Sequence, residues 1–95
     1  MTRPSSNKGI YGIAVVAELT GTGQQNLRLY ERKGLLEPER TPGGTRRYSD
    51  ADVQVLHRIV ALLDEGVNLA GVRLILELEA DNHQLRRKLD RLTGR

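Results

Sequence analysis

A chain of 95 residues with three Tyr, no Phe and no Trp allows one small domain with an aliphatic core. Without cysteine it has no disulfide, thiolate metal site or cysteine redox switch, and its short apolar runs behind a polar N-terminus make a soluble cytoplasmic protein the expectation. The net charge of +3 is unevenly placed: residues 1–50 carry eight basic and five acidic side chains and residues 51–95 seven of each, so a polyanion would bind the N-terminal half.

Residues 1–10, polar and holding Pro4 and two serines, read as a disordered lead. Ile13 to Leu19 is apolar on nearly every side and is expected as a short, mostly buried helix. "TGTG" ends it and offers Thr22 as the cap of a second helix, which runs to about Lys33 with Gly34 as its stop. Two helices joined by a tight glycine-containing turn make a helix-turn-helix candidate. Pro38 and Pro42 forbid a continuous helix, and the stretches Leu35–Arg40 and Thr45–Tyr48 fit two short strands around a tip at Pro42 to Gly44. In "SDAD", Ser49 and Asp52 form a capping box, and Val53, Leu56, Val60 and Leu63 recur at helical spacing before Gly66. Asn68 can cap a further helix with Leu69, Val72 and Leu76 on one face, and a charged tail follows. The expected order is helix, turn, helix, hairpin, then two or three helices. The fold class is mainly α: a winged helix-turn-helix with a two-stranded β wing and a short C-terminal helix.

At roughly 100° per residue, Gln24, Gln25, Arg28 and Arg32 share an arc of about 100° on the second helix. Leu27 and Tyr30 lie on another side, suited to packing on the first helix. Gln can bond adenine bidentately, Arg can do the same to guanine, and the guanidinium fork also fits phosphate. A solvated helix face carries the same residue types, and Arg28 could simply pair with Glu31, Glu37 or Glu39. The hairpin favours the nucleic-acid reading. Six of the fifteen Lys and Arg fall between Leu27 and Ser49, and Arg40, Arg46 and Arg47 flank a glycine-rich tip that includes Gly44. A basic ribbon beside a helix-turn-helix is the geometry of a wing, with the helix in the major groove and the ribbon on flanking phosphates.

"LRLYERKGLLEPER…GGTRRYSDADV", followed by "LLDEGVNLAGVRLIL", resembles the winged-helix DNA-binding domain of MerR-type transcription regulators. The likeness covers about Tyr11 to Leu78 and is ordered along the chain. "RTPGGTRRYS" and "DEGVNLAGV" look most like the heat-shock repressor branch, HspR. The resemblance implies that Arg28 approaches bases and that Tyr30 sets its hydroxyl on a phosphate while its ring packs. It further implies that Arg46 and Arg47 hold the backbone and that Tyr48 anchors the wing to the third helix; Tyr48 is counted with the DNA-binding set, although a core role suits it better. Asn26 and Leu29 depart from the family's usual Thr and aromatic residue, so one contact is in question. Metal-sensing members use cysteines and effector-binding members append a C-terminal domain, so no cofactor, no metal and no direct sensing are expected. For the heat-shock branch a chaperone such as DnaK is the expected co-repressor.

The expected domains are the lead, a DNA-binding domain over 11–80, and a C-terminal helix over 81–95. In heptad register Ile75, Asn82 and Leu89 fall at a and Leu78, Leu85 and Leu92 at d, so Leu78, Asn82, Leu85, Leu89 and Leu92 form a candidate dimerisation stripe. The family's antiparallel coiled coil implies a homodimer of this kind. Under three heptads is short, however, and "EADN" could equally break the helix and let Leu85 and Leu89 fold back on the domain. His57, expected to be partly buried, and His83 belong to no ligand motif, no nucleophile motif is present, and no catalytic residue is assigned. The other reading, from a different class, is a protein-interaction adaptor on a winged-helix scaffold.

Overall fold

The structure, a computed structural model, describes residues 7–94. Four helices and one two-stranded sheet follow in the order α1 (Ile13–Thr20), α2 (Gln24–Arg32), β1 (Glu39–Arg40), β2 (Arg46–Arg47), α3 (Asp50–Asp64) and α4 (Leu69–Leu92). Helix α1 packs against α2 and α3, and α3 against α4.

Helix α1 is not the mostly buried element its composition suggests. Val16 alone is fully covered, while Val15 and Leu19 remain 48% and 55% exposed. A two-turn helix at the edge of a small domain has one stripe to give to its neighbours, however apolar its other sides are. The turn to α2 also differs in detail. Gly23 is the N-cap and among the described residues no side chain caps the helix, whereas Thr22 is buried. The expected end is correct: Lys33 is the C-cap, and Gly34 follows in the left-handed region.

The wing is shorter than the flanking sequence allowed. Glu39 pairs with Arg47 and Arg40 with Arg46, and the turn between them is closed by Thr41 N–H to Thr45 O and Gly44 N–H to Thr41 O, each 2.8 Å. Gly44 sits at φ 88°, which strongly favours glycine. The chain before α1 is tied to the base of this hairpin: Tyr48 N–H donates to Tyr11 O at 2.7 Å, and Tyr48 O accepts from Ile10 and Tyr11. Gly9 N–H donates to Glu39 Oε1 at 2.9 Å, and a Cβ on Gly9 would lie 2.6 Å from Arg47 O. Gly9 and Ile10, counted with the expected lead over residues 1–10, are thus bonded to the hairpin; Met1 to Ser6 lie outside the described residues.

Helix α3 begins as the sequence predicts. Asp52 N–H donates to Ser49 Oγ at 3.0 Å and Ser49 N–H to Asp52 Oδ2 at 2.9 Å, a reciprocal box that satisfies two orphan donors. Asp50, in the same first turn, accepts from the Tyr11 hydroxyl at 2.7 Å, which raises the tyrosine pKa by hydrogen bonding to the carboxylate. Leu56, Ile59 and Leu62 enter the core with Val16, Leu27, Tyr30, Leu36, Tyr48 and Val72. His57 is exposed, not partly buried, because it lies on the opposite side of α3 from those leucines. Asn68 caps α4 by accepting from Gly71 N–H at 2.8 Å.

Helix α4 is continuous through "EADN", for 24 residues, or about 36 Å. Its first turns pack: Val72 is buried, and Leu69, Ile75 and Leu76 are partly covered. From Glu77 onward every described residue is exposed. The alternative in which Leu85 and Leu89 fold back on the domain is therefore corrected.

Candidate nucleic-acid interface

Helix α2 is amphipathic in the expected sense. Leu27 and Tyr30 face the core, and Gln24, Gln25 and Arg32 are exposed with Arg28 partly so. Gln25, Arg28 and Arg32 line a shallow recess together with Asn26 and Leu29. Sequence reasoning noted those last two only as departures; their helical positions beside Gln25 were the available signal. Among the described residues no side chain caps α2, and the N–H groups of a helix's first turn have no partner within the helix itself.

Two of the three wing arginines, Arg40 and Arg46, are tied to helix α2. Arg40 Nη2 and Arg46 Nε each donate to the Glu31 carboxylate of α2, at 2.5 and 2.6 Å. Arg40 Nη1 also donates to Gly44 O at 3.1 Å. Burial pushes the Glu31 carboxyl upward, but hydrogen bonds and charge from Arg46 and Arg40 outweigh it and hold the group below the ordinary glutamate value. The same bond to Glu31 raises the Arg46 guanidinium pKa. The sequence offered Glu31 as a partner for Arg28. Instead it reaches nine and fifteen residues along the chain, a pairing no local spacing could indicate. Arg28, Arg32 and Arg47 have no ion pair among the described residues.

The two tyrosines part company. Tyr30 is nearly covered, and burial raises its phenol pKa. Tyr48 is 0% exposed, its backbone is bonded to Tyr11, and its hydroxyl finds no hydrogen-bond partner among the described residues. Its place in the DNA-binding set is corrected. In a core short of aromatics this ring joins the wing base to α3, and it has no surface with which to touch a ligand. Gly44 lies at the exposed wing tip.

Leu78, Asn82, Leu85, Leu89 and Leu92 are all exposed along α4. Leu74 extends the leucine stripe toward the domain; it was missed because the heptad count placed Ile75 at that level. Asn82 accepts from Arg86 Nε at 2.7 Å. No group of three or more His, Cys, Asp or Glu that could hold a metal occurs among the described residues.

Residues 11–79 match the family model described as MerR HTH family regulatory protein. HspR, a heat shock protein of Streptomyces coelicolor, is 49% identical over 71 residues, covering 74% of this chain and 47% of that protein. The transcriptional repressor CarH of Myxococcus xanthus is 43% identical over 67 residues, 70% of this chain and 22% of CarH. The chain thus spans about half or less of these two relatives. Among solved structures, the N-terminal part of MtaN, a multidrug transporter activator of Bacillus subtilis, superposes with a TM-score of 0.68 at 28% identity, covering 90% of each chain. HiNmlR, a MerR family regulator lacking the sensor domain and bound to promoter DNA, gives 0.66 at 26% identity, with 84% of this chain and 78% of that one covered.

Proposed function

The chain belongs to the MerR family of helix-turn-helix regulatory proteins, and from that premise we propose that it is a sequence-specific duplex DNA-binding transcription regulator, a repressor of the HspR kind. The observation that carries this reading is the joining of two basic elements: Glu31 bonds the α2 helix, with its Gln24, Gln25, Arg28 and Arg32 face, to the wing arginines. Amides and guanidiniums on the helix suit base edges in the major groove, and the ribbon suits the flanking backbone. The DNA-binding unit in this reading is 11–80, and α4 carries on from it without a break.

We include a homodimer through the outer leucines of α4. Glu77, Glu79 and Asp81 precede Arg86, Arg87, Lys88 and Arg91 on that helix, so two antiparallel copies would set acidic against basic segments. A chaperone co-repressor is the partner that the likeness to HspR adds; its test is whether purified DnaK tightens binding to the operator. Among the described residues no helix is long and apolar enough to cross a membrane, and a DNA regulator of this kind works in the cytoplasm. No catalytic chemistry is proposed.

Selecting bound sites from a random duplex library at near-physiological salt tests the reading. An enriched inverted repeat is expected, with half-site spacing set by the dimer; no enrichment overturns specific binding. Arg28→Ala should then cost about 1–3 kcal/mol on the enriched site and relax preference at one position. Arg47→Ala should weaken enriched and scrambled duplexes alike and flatten the salt slope by about one.

A further inference from the structure

Glu31 is an acidic side chain on the very helix whose outer face would approach a polyanion. Its carboxylate oxygens are both engaged, one by Arg40 Nη2 and the other by Arg46 Nε. The two arginines differ in what they have left. Arg40 spends its second terminal nitrogen on Gly44 O, so both ends of its fork are committed inside the protein. Arg46 uses only Nε, and its terminal nitrogens are not bonded to the protein among the described residues. Strands of two residues cannot by themselves hold a ribbon at a fixed angle to a helix. Here a triangle of Glu31, Arg40 and the Gly44 carbonyl ties helix, strand and wing tip together.

We propose that Glu31 is a positioning residue that sets the wing at its working distance from α2, with Arg40 as an internal strut and Arg46 as a buttressed arm whose outer nitrogens take a phosphate. This rests on the DNA-binding reading and refines it, since it removes Arg40 from the direct contacts. A carboxylate held between two guanidiniums keeps the recognition helix from repelling the backbone and orients the groups that attract it. Without it the wing keeps its charge and loses its aim. Specific binding, which needs helix and wing in register together, suffers; non-specific binding, which needs only charge, does not.

The test compares the full-length parent with Glu31→Gln, Arg40→Gln and the double variant on the enriched and a scrambled duplex across a salt series. Glu31→Gln is expected to weaken the enriched duplex about tenfold while the scrambled duplex is bound as before or more tightly. Arg40→Gln should weaken the enriched duplex by a similar factor with an unchanged salt slope and at most a small loss on the scrambled duplex, and the double variant should be no worse than either single change. Tighter binding of both duplexes by Glu31→Gln would show that the carboxylate acts as charge alone and would overturn the proposal. So would a slope for Arg40→Gln shallower by about one, with additive losses, because Arg40 would then be on a phosphate itself. Amide exchange on the DNA-free protein decides the strut independently. Thr41 and Gly44 amides should exchange at least about fivefold faster in Glu31→Gln with α3 amides unmoved. Unaltered wing exchange sinks the strut even where specific DNA binding holds. If the parent fails to discriminate duplexes, the DNA reading falls and the exchange result alone decides Glu31.

Discussion

Helix α4 carries apolar residues on two faces with opposite fates. At about 100° per residue, Leu69, Val72 and Leu76 gather on one side, and Leu74, Leu78, Leu85, Leu89 and Leu92 gather nearly opposite. The first set packs on α3, with Val72 at 0% exposure; the second runs from 58% at Leu89 to 86% at Leu92. Residue type, helix and period are the same. What separates them is whether the fold supplies a neighbour, and only the inner face lies over one.

That contrast can be broken most directly by truncating one residue on each face. Val72→Ala removes two fully buried methyl groups and is expected to lower the unfolding free energy by about 2 kcal/mol in urea titration. Equal losses for Val72→Ala and Leu89→Ala in dilute solution would show that the outer face is covered within one chain. An intermediate effect concerns association. Leu78→Gln combined with Leu85→Gln should abolish any concentration-dependent dimer in sedimentation equilibrium and leave the helical circular-dichroism signal in place. An unchanged mass would remove the outer leucines from the interface.

A smaller effect marks the point where the two regimes meet. Arg58 of α3 bonds Glu79 through Nη2 to Oε2 at 2.6 Å and Nε to the same oxygen at 3.1 Å, just beyond the packed residues. The hydrogen bond from Arg58 holds the Glu79 carboxyl below its ordinary value. A folded-state pKa below the unfolded one means this pair, like that of Glu31, contributes fully above the ordinary glutamate pKa. The contribution disappears as pH falls through the depressed value. Acidification should therefore loosen the middle of α4 and the wing before the core, read as a fall in amide protection near Glu79 and in the wing relative to the intrinsic exchange rate. Arg58→Ala should erase that local pH response and shift the melting temperature slightly, less so at high salt. The smallest expected change is in Leu89→Ala itself, under about 0.5 kcal/mol for the dilute chain.

Much of this architecture is local and was legible in residue order. The Ser49–Asp52 box, the Asn68 cap, the Gly34 and Gly66 stops and the Pro42–Gly44 turn depend on neighbours within a few positions, so their residue types announce them. The division of α2 into a Leu27–Tyr30 side and a Gln–Arg side follows from helical period alone, and the ordered run from Tyr11 to Leu78 was enough to indicate the family.

Tertiary structure decided the rest, where a residue's fate depends on something far along the chain. An apolar run cannot say how many of its sides will meet a neighbour, so Val15 and Leu19 stay exposed in a helix that composition would bury. Leucine period cannot say whether α4 continues past Ala80 or which of its faces is free. Tyr48 became core because the N-terminal segment, the wing and α3 close around it. Glu31 found Arg40 and Arg46 instead of Arg28 because the hairpin returns beside α2. Short-range hydrogen bonding and steric preference are written in sequence order, whereas burial and ion pairing are properties of the closed chain.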